Sequence, residues 1–305
     1  MKKIPLLFIF NPKAGTQKLP SLLFEVVDKF SAAGFLVTAY PTQAADEVGQ
    51  IIALHGDEYE YLVCSGGDGT INEAINALIM MAHQPAFGII PSGTVNDFAN
   101  SLGIPKDPHA AAANIINHRR NAPAPKAIDI GRFGNRHFGG RHFAYVAAFG
   151  KYTDVSYSTP QLAKNLFGKL AYFFEGVKQS GTLESFRCTF DIDGEIIAGD
   201  FILGIITNAH SVAGYKLPDE MDVQIDDGYF EVILMHTPSG LMEIQKIIAS
   251  LLAQEIKSEL ILFRKARKVI FTSEKPVAWT LDGDFGGEHA EITIENQHRA
   301  IEILI

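Results

Sequence analysis

Two glycine-rich stretches carry the chemistry of this 305-residue chain, Gly66-Gly67-Asp68-Gly69-Thr70 and Pro91-Ser92-Gly93-Thr94-Val95-Asn96-Asp97. Each follows an apolar run that reads as a strand and opens onto a run that reads as a helix. Such a junction turns backbone N–H groups and the positive end of a helix toward an anion, and phosphate suits it. Glycines clear side chains from the path of approach. Asp68 is out of place in such a loop, because a bare carboxylate repels phosphate. A divalent cation bridging the two removes the conflict. The stretch lacks the lysine of a P-loop and the spacing of a dinucleotide GxGxxG. The competing reading is a tight turn in which Asp68 caps the third helix.

Other residues join these two loops. Asn11-Pro12-Lys13-Ala14-Gly15 lies between the first strand and the first helix, where small residues let backbone approach a ligand. Taken alone it reads equally well as a turn. Thr70 and Asn72 can cap the third helix or bind phosphate oxygens. Asp97 reads as an N-cap of the helix it opens, and capping does not exclude function. Asp129, between Ile128 and Ile130 beside a domain junction, is expected to face a cleft. Asp282-Gly283-Asp284 reads as a hairpin turn or, alternatively, as the source of a general base.

The elements that must position these residues alternate strand and helix through the first third of the chain. Expected strands are Ile4–Phe10, Phe35–Ala39, Tyr61–Cys64 and Ala86–Ile90. Expected helices are Leu19–Ala33, Ala44–Leu54 (started by Thr42), Ile71–Met81, Asp97–Leu102 and Pro108–His118. This alternation implies a parallel sheet with helices on both faces, whose strand ends bring the loops to one edge. Asn121–Lys126, NAPAPK, breaks both periodicities and reads as a linker. Short strand-like runs follow: Ala127–Phe133, His142–Phe149, Phe186–Ile192, Glu195–Asn208, Tyr229–His236, Lys268–Ser273, Val277–Leu281 and Glu291–Glu295. Helices are expected near Thr159–Ser180 and Ser239–Leu252. The fold class is therefore an N-terminal α/β domain with a parallel sheet plus a C-terminal antiparallel β-sandwich domain, with a curved sheet as the alternative for the latter. The boundaries are 1–125, joined by a last strand at about 297–305, and 126–296.

Lys+Arg 26 against Asp+Glu 35 gives a formal charge of −9, which argues against nucleic acid as a partner. Cys64 and Cys188 fit no metal or disulfide spacing and read as reduced core thiols of a cytoplasmic protein. The apolar start before Asn11-Pro12 is too short for a signal peptide. No run reaches the roughly 20 apolar residues that span a bilayer, so contact with lipid would be peripheral. His137 and His142 read as part of a polar hairpin loop. The charged run Arg264–Lys268 reads as a solvated strand entrance, with a membrane-facing role as the alternative.

In NPKAG, GGDGTINEAINAL and PSGTVNDFANSLGIP the chain resembles the soluble bacterial diacylglycerol kinases and their lipid-kinase relatives. The likeness continues in order through Ile128-Asp129-Ile130-Gly131, FGKLAYFFEGVK, TNAHSVAGYKLPDEMDVQIDDGYFEV and LDGDFGG. GGDGT alone is shared with NAD kinases, and PSGTVNDFA separates the lipid-kinase branch. The resemblance implies phosphorylation of a lipid hydroxyl, diacylglycerol first, by ATP bound in a cleft between two domains. Asn11, Pro12, Lys13, Ala14, Gly15, Thr42, Gly66, Gly67, Asp68, Gly69, Thr70, Ile71, Asn72 and Thr94 would contact the nucleotide. Asp68 would act with Asp97 and Asp129 through Mg²⁺ and water near the phosphates. A second, structural Mg²⁺ is implied at Gln224, Asp227 and Tyr229. Asp284 would be the base, though the family has Glu there and this chain is one methylene shorter. The acceptor would be met at the inner membrane surface by a cytoplasmic protein, and a homodimer stays open. The rival readings are a nucleotide-binding regulator whose catalysis has decayed at Asp284, and an NAD kinase.

Overall fold

The computed structural model describes residues 3–15, 18–121, 124–135, 139–150, 184–212, 215–253 and 258–305. The chain divides into two units, Met1–Ile128 with Arg299–Ile305, and Asp129–His298. The expected helix near 159–180 and the FGKLAYFFEGVK stretch lie outside the described residues, as does His137.

In the first unit β1 (Ile4–Phe10) pairs in parallel with both β2 (Phe35–Pro41) and β3 (Tyr61–Gly66), and β3 pairs in parallel with β4 (Ala86–Pro91). Leu6 to Phe10 are buried in succession, as a strand covered on both faces requires. Between the strands run α1 (Lys18–Ala32), α2 (Glu47–His55) and α3 (Asp68–Ile79). The short α4 (Asp97–Ser101) and α5 (Pro108–Asn121) follow β4. Phe8, Phe30, Phe35 and Tyr61 form a chain of edge-on ring contacts that ties α1 to the sheet. Each such ring contributes roughly 1.5–3 kcal/mol on full burial. Parallel pairing puts Phe10, Pro41, Gly66 and Pro91 at the same edge, so the loops after β1, β3 and β4 meet there. Thr42 does not start α2, which begins five residues later. Its hydroxyl is instead 3.4 Å from the Phe10 carbonyl.

The second unit is antiparallel in every described pairing. β5 (Lys126–Gly134) pairs with β6 (Arg141–Phe143). β7 (Val146–Phe149) and β8 (Phe186–Ile192) share one column, end to end, between β9 (Glu195–Thr207) and β14 (Lys268–Leu281). β9 continues to β12 (Phe230–His236) and β13 (Ile261–Ala266), and β14 to β15 (Asp284–Leu304). A small hairpin, β10 (Ser211–Val212) with β11 (Tyr215–Lys216), and α6 (Leu241–Ala253) complete the described elements. The described strands of the second unit are linked in one hydrogen-bonded ladder around one core. Phe133, Phe149, Phe190, Phe271 and Trp279 are buried together in it. The expected run 142–149 is two strands, broken at Ala144-Tyr145. β13 was not expected, because Arg264 and Lys265 interrupt its apolar pattern. β14 joins two expected runs through irregular pairing between Thr272 and Val277. β15 joins two more, and its Ile303 and Leu304 pair in parallel with β4.

Candidate functional site

The three loops at the strand edge of the first unit are knitted backbone to backbone. The loop after β1 is an Asx turn, with the Asn11 Oδ1 accepting the Lys13 N–H at 2.9 Å. It is anchored to the next strand by the Asn11 N–H on the Ser65 carbonyl. Gly15 sits at φ +52°, and a Cβ there would lie 2.1 Å from the Ser92 carbonyl oxygen. A Cβ on Gly93 would lie 2.4 Å from the Gly67 Cα. These glycines are therefore demanded by contact between loops. Ser92 and Gly93 both donate their N–H to the Gly66 carbonyl. Asn96 locks its own turn by accepting from the Gly93 N–H and donating to the Gly93 carbonyl, each at 2.9 Å. The Ser65 and Ser92 hydroxyls meet at 3.2 Å.

Asp68 is the first residue of α3, and its carboxylate is turned toward another helix. It accepts the N–H groups of Asp97 at 3.3 Å and Phe98 at 3.1 Å, and so caps α4. Asp68 thus bridges the second and third loops, which sets aside the competing reading of a cap on α3. Asp97 is the first residue of α4 rather than its cap. Burial raises the Asp68 carboxyl above its usual range; the Phe98 N–H works against this and the neighbouring Asp97 adds to it. Gly67 is the N-cap of α3, whose positive end lies on the edge shared by the loops. Asn72 is buried in α3 and hydrogen-bonded by Asn76, so its side chain belongs to the helix. Thr94 is exposed and Thr42 buried. Ser65, Ser92, Gly93 and Asn96 hold the loops together and were not singled out from sequence, although the glycine spacing of the third loop pointed to Gly93.

The acidic candidates of the second unit separate sharply. Asp129 is fully buried. It accepts the Gly228 N–H at 2.6 Å, the Asn296 amide at 3.3 Å and a His298 contact at 3.0 Å. Its carbonyl accepts from the Asn208 amide. Asp282 and Gly283, at φ +51° and +93°, form the two-residue turn between β14 and β15. The buried Asp282 carboxylate accepts three successive N–H groups, from Ala144, Tyr145 and Val146. Those bonds cause the break between β6 and β7. Asp284, the first residue of β15, is exposed.

The sequence profile of the diacylglycerol kinase catalytic domain matches residues 5–128, the segment that holds all three loops. The diacylglycerol kinase of Bacillus subtilis (strain 168) is 30% identical over 284 residues, 92% of this chain and 89% of its own. That of Staphylococcus carnosus (strain TM300) is 32% identical over 284 residues, 92% of this chain and 88% of its own. This chain belongs to the diacylglycerol kinase family. In fold it is similar to a crystal structure of a diacylglycerol kinase from Bacillus anthracis str. Sterne, with a TM-score of 0.75 at 22% identity, covering 100% of this chain and 97% of that one.

Resemblance to the diacylglycerol kinase family implied a resident Mg²⁺ at Gln224, Asp227 and Tyr229, and the residues there do not fit one. The Lys265 ammonium donates to the Asp222 carbonyl at 2.7 Å and to the Asp227 Oδ2 at 3.2 Å. The other Asp227 oxygen accepts the Tyr229 N–H at 2.9 Å. Mg²⁺ requires near-octahedral oxygens at about 2.0–2.1 Å, and here a positive charge already stands against the carboxylate that would bind it. The Gln224 amide reaches toward the Asp222 side chain at 3.5 Å. Glu231 is fully buried nearby, with neither carboxylate oxygen hydrogen-bonded and Oε1 3.6 Å from the Lys265 ammonium. Burial pushes its carboxyl up to about 8, against the pull of Lys265.

Members of the charged run Arg264–Lys268 find partners within this unit. Arg264 forks onto Glu195 with two bonds of 2.8 Å, Arg267 lies over the Tyr229 ring, and Lys268 pairs with Glu295.

Proposed function

We propose that this chain transfers the γ-phosphoryl group of MgATP to the hydroxyl of diacylglycerol, giving phosphatidic acid and ADP. Family membership supports the lipid-kinase class. The observation that carries the nucleotide role is the glycine-to-glycine contact of the three loops at one edge of the parallel sheet. That packing clears side chains from the edge, and the first N–H groups of α3 then meet the phosphates. On this reading Asn11 to Gly15, Thr42, Gly66 to Asn72 and Thr94 serve the nucleotide. Asp68 has two roles: it holds α4 against the phosphate loop, and its remaining lone pairs accept the water shell of the substrate's magnesium. Asp97 contributes charge beside it.

Asp284 takes the proton from the acceptor hydroxyl as the oxygen bonds to phosphorus and the bond to the ADP oxygen breaks. Its exposure at a hairpin turn is compatible with that role. Asp129, by contrast, supports the reaction only by fixing the turn at 225–228. The lipid acceptor puts the reaction at a membrane surface, which we assign to the cytoplasmic face. No described helix is long and apolar enough to cross a bilayer.

The test is transfer of labelled γ-phosphate from ATP to diacylglycerol in mixed micelles, with other lipid alcohols in parallel. Label in phosphatidic acid supports the proposal. Magnesium-dependent ATP binding without transfer to any lipid would sink it in favour of a decayed regulator.

A further inference from the structure

We infer that Lys265 is the resident cation of the 222–231 segment, so that the second unit folds and persists without a divalent metal. Three observations carry this. First, the ammonium makes the contacts expected of a bound cation: it takes the Asp222 carbonyl and the Asp227 carboxylate and lies beside the Glu231 carboxylate. Second, its position is imposed by strand register. Lys265 on β13 is the cross-strand partner of Glu231 on β12, so the lysine stem rises from the sheet directly beside the two acids. Third, the carboxyl groups it faces cannot be left alone. Glu231 is wholly buried with no hydrogen bond to either oxygen, a condition that requires a nearby positive charge or a proton.

A divalent ion added to this site would sit within a few ångströms of the ammonium, and repulsion disfavours having both. Two other features complete the electrostatic frame. The Asp227 Oδ1 is satisfied by the Tyr229 N–H, leaving Oδ2 to the lysine. The Arg267 guanidinium stacks 4.7 Å over the Tyr229 ring, fixing the end of the segment without using its carbonyl. The inference does not depend on which alcohol the protein phosphorylates.

The experiment is thermal unfolding of the metal-stripped full chain without nucleotide, with EDTA or with millimolar MgCl₂, alongside metal analysis after dialysis. The expected result for wild type is one melting temperature under both conditions and no stoichiometric Mg²⁺ retained. Lys265→Met should melt roughly 5 °C lower in EDTA, since a partly buried pair has lost one member. Mg²⁺ should restore much of that loss, and Lys265→Met/Asp227→Asn should no longer respond. Lys265→Arg should stay insensitive to metal. A wild-type melt that falls in EDTA and recovers with Mg²⁺, with Asp227→Asn removing the recovery, would overturn the inference. So would a Lys265→Met protein as stable as wild type in EDTA. If Lys265→Met does not fold, the wild-type arms still decide.

Discussion

Asp282 and Asp284 stand two positions apart, yet the first is buried under three N–H groups and the second is exposed. Their asparagine variants should therefore fail in opposite ways. In Asp282→Asn the amide oxygen can keep the Tyr145 and Val146 N–H groups, at 3.0 and 2.9 Å in wild type. The new NH₂ then faces the Ala144 N–H, which donates at 2.6 Å to the carboxylate. One charge-assisted bond disappears and one buried donor is left without an acceptor. Both changes fall on the one Ala144 contact, and together they cost about 2–4 kcal/mol. Backbone strain does not confuse the result, because Asn tolerates a left-handed φ as well as Asp does. For a unit of this size the melting temperature should fall by roughly 5–15 °C. Asp284→Asn, on an exposed strand end, should stay within about 0.5 kcal/mol of wild type. It should nevertheless lose on the order of 10²-fold or more in phosphoryl transfer, as removal of a general base does. The assays are unfolding followed by circular dichroism and labelled phosphate transfer at saturating lipid. Full transfer by Asp284→Asn would refute the assignment of the base. An Asp282→Asn protein as stable as wild type would refute the account of the turn.

Asp68→Ala should abolish turnover while a cooperative melt remains, lowered by about 1–2 kcal/mol for the lost cap on α4; turnover at the wild-type rate would remove Asp68 from the site. Gly93→Ala should weaken ATP binding at least about tenfold by calorimetry, because its Cβ would meet the Gly67 Cα at 2.4 Å and force the loops apart. Stability should decline as pH rises from about 5 to about 8. Burial holds the Glu231 carboxyl near 8 in the folded chain against 4.5 unperturbed, so the native state keeps a proton that the unfolded chain releases. Glu231→Gln should flatten that slope, and an unchanged slope would show that Glu231 is not its source. The native thiols should react with iodoacetamide only on unfolding: burial pushes Cys188 up to about 12 and Cys64 still higher.

The first unit was legible in the sequence because each local signal agreed with the global one. Continuous apolar strands, glycine-rich loops and helical spacing all specify one parallel sheet, and 61–66 and 86–91 extend the expected strands by only a residue or two. What the loops do to each other was not legible. The carboxylate of Asp68 reaches an N-terminus about thirty residues away, and periodicity carries no information about such a contact. In the second unit the short runs were visible but their lengths were not. Glu274 to Pro276 reads as a gap between two strands, since a polar, proline-containing stretch breaks alternation, yet the strand continues through it with irregular pairing. Asp129 is similar: nothing in a carboxylate between two isoleucines announces the Gly228, Asn296 and His298 partners that hold its side chain. Lys265 went unnoticed within a charged run whose members each find a different partner.

β15 carries a consequence for biosynthesis. Its residues 303 and 304 add the neighbour that β4 needs, with Ile301 and Ile303 buried and the Ile305 carbonyl 2.7 Å from the His118 ring. A ribosome therefore delivers the first unit's final strand only after every residue of the second has been translated. Until then β4 presents an open edge, and a nascent chain stalled before residue 299 would expose a sticky ladder to its neighbours.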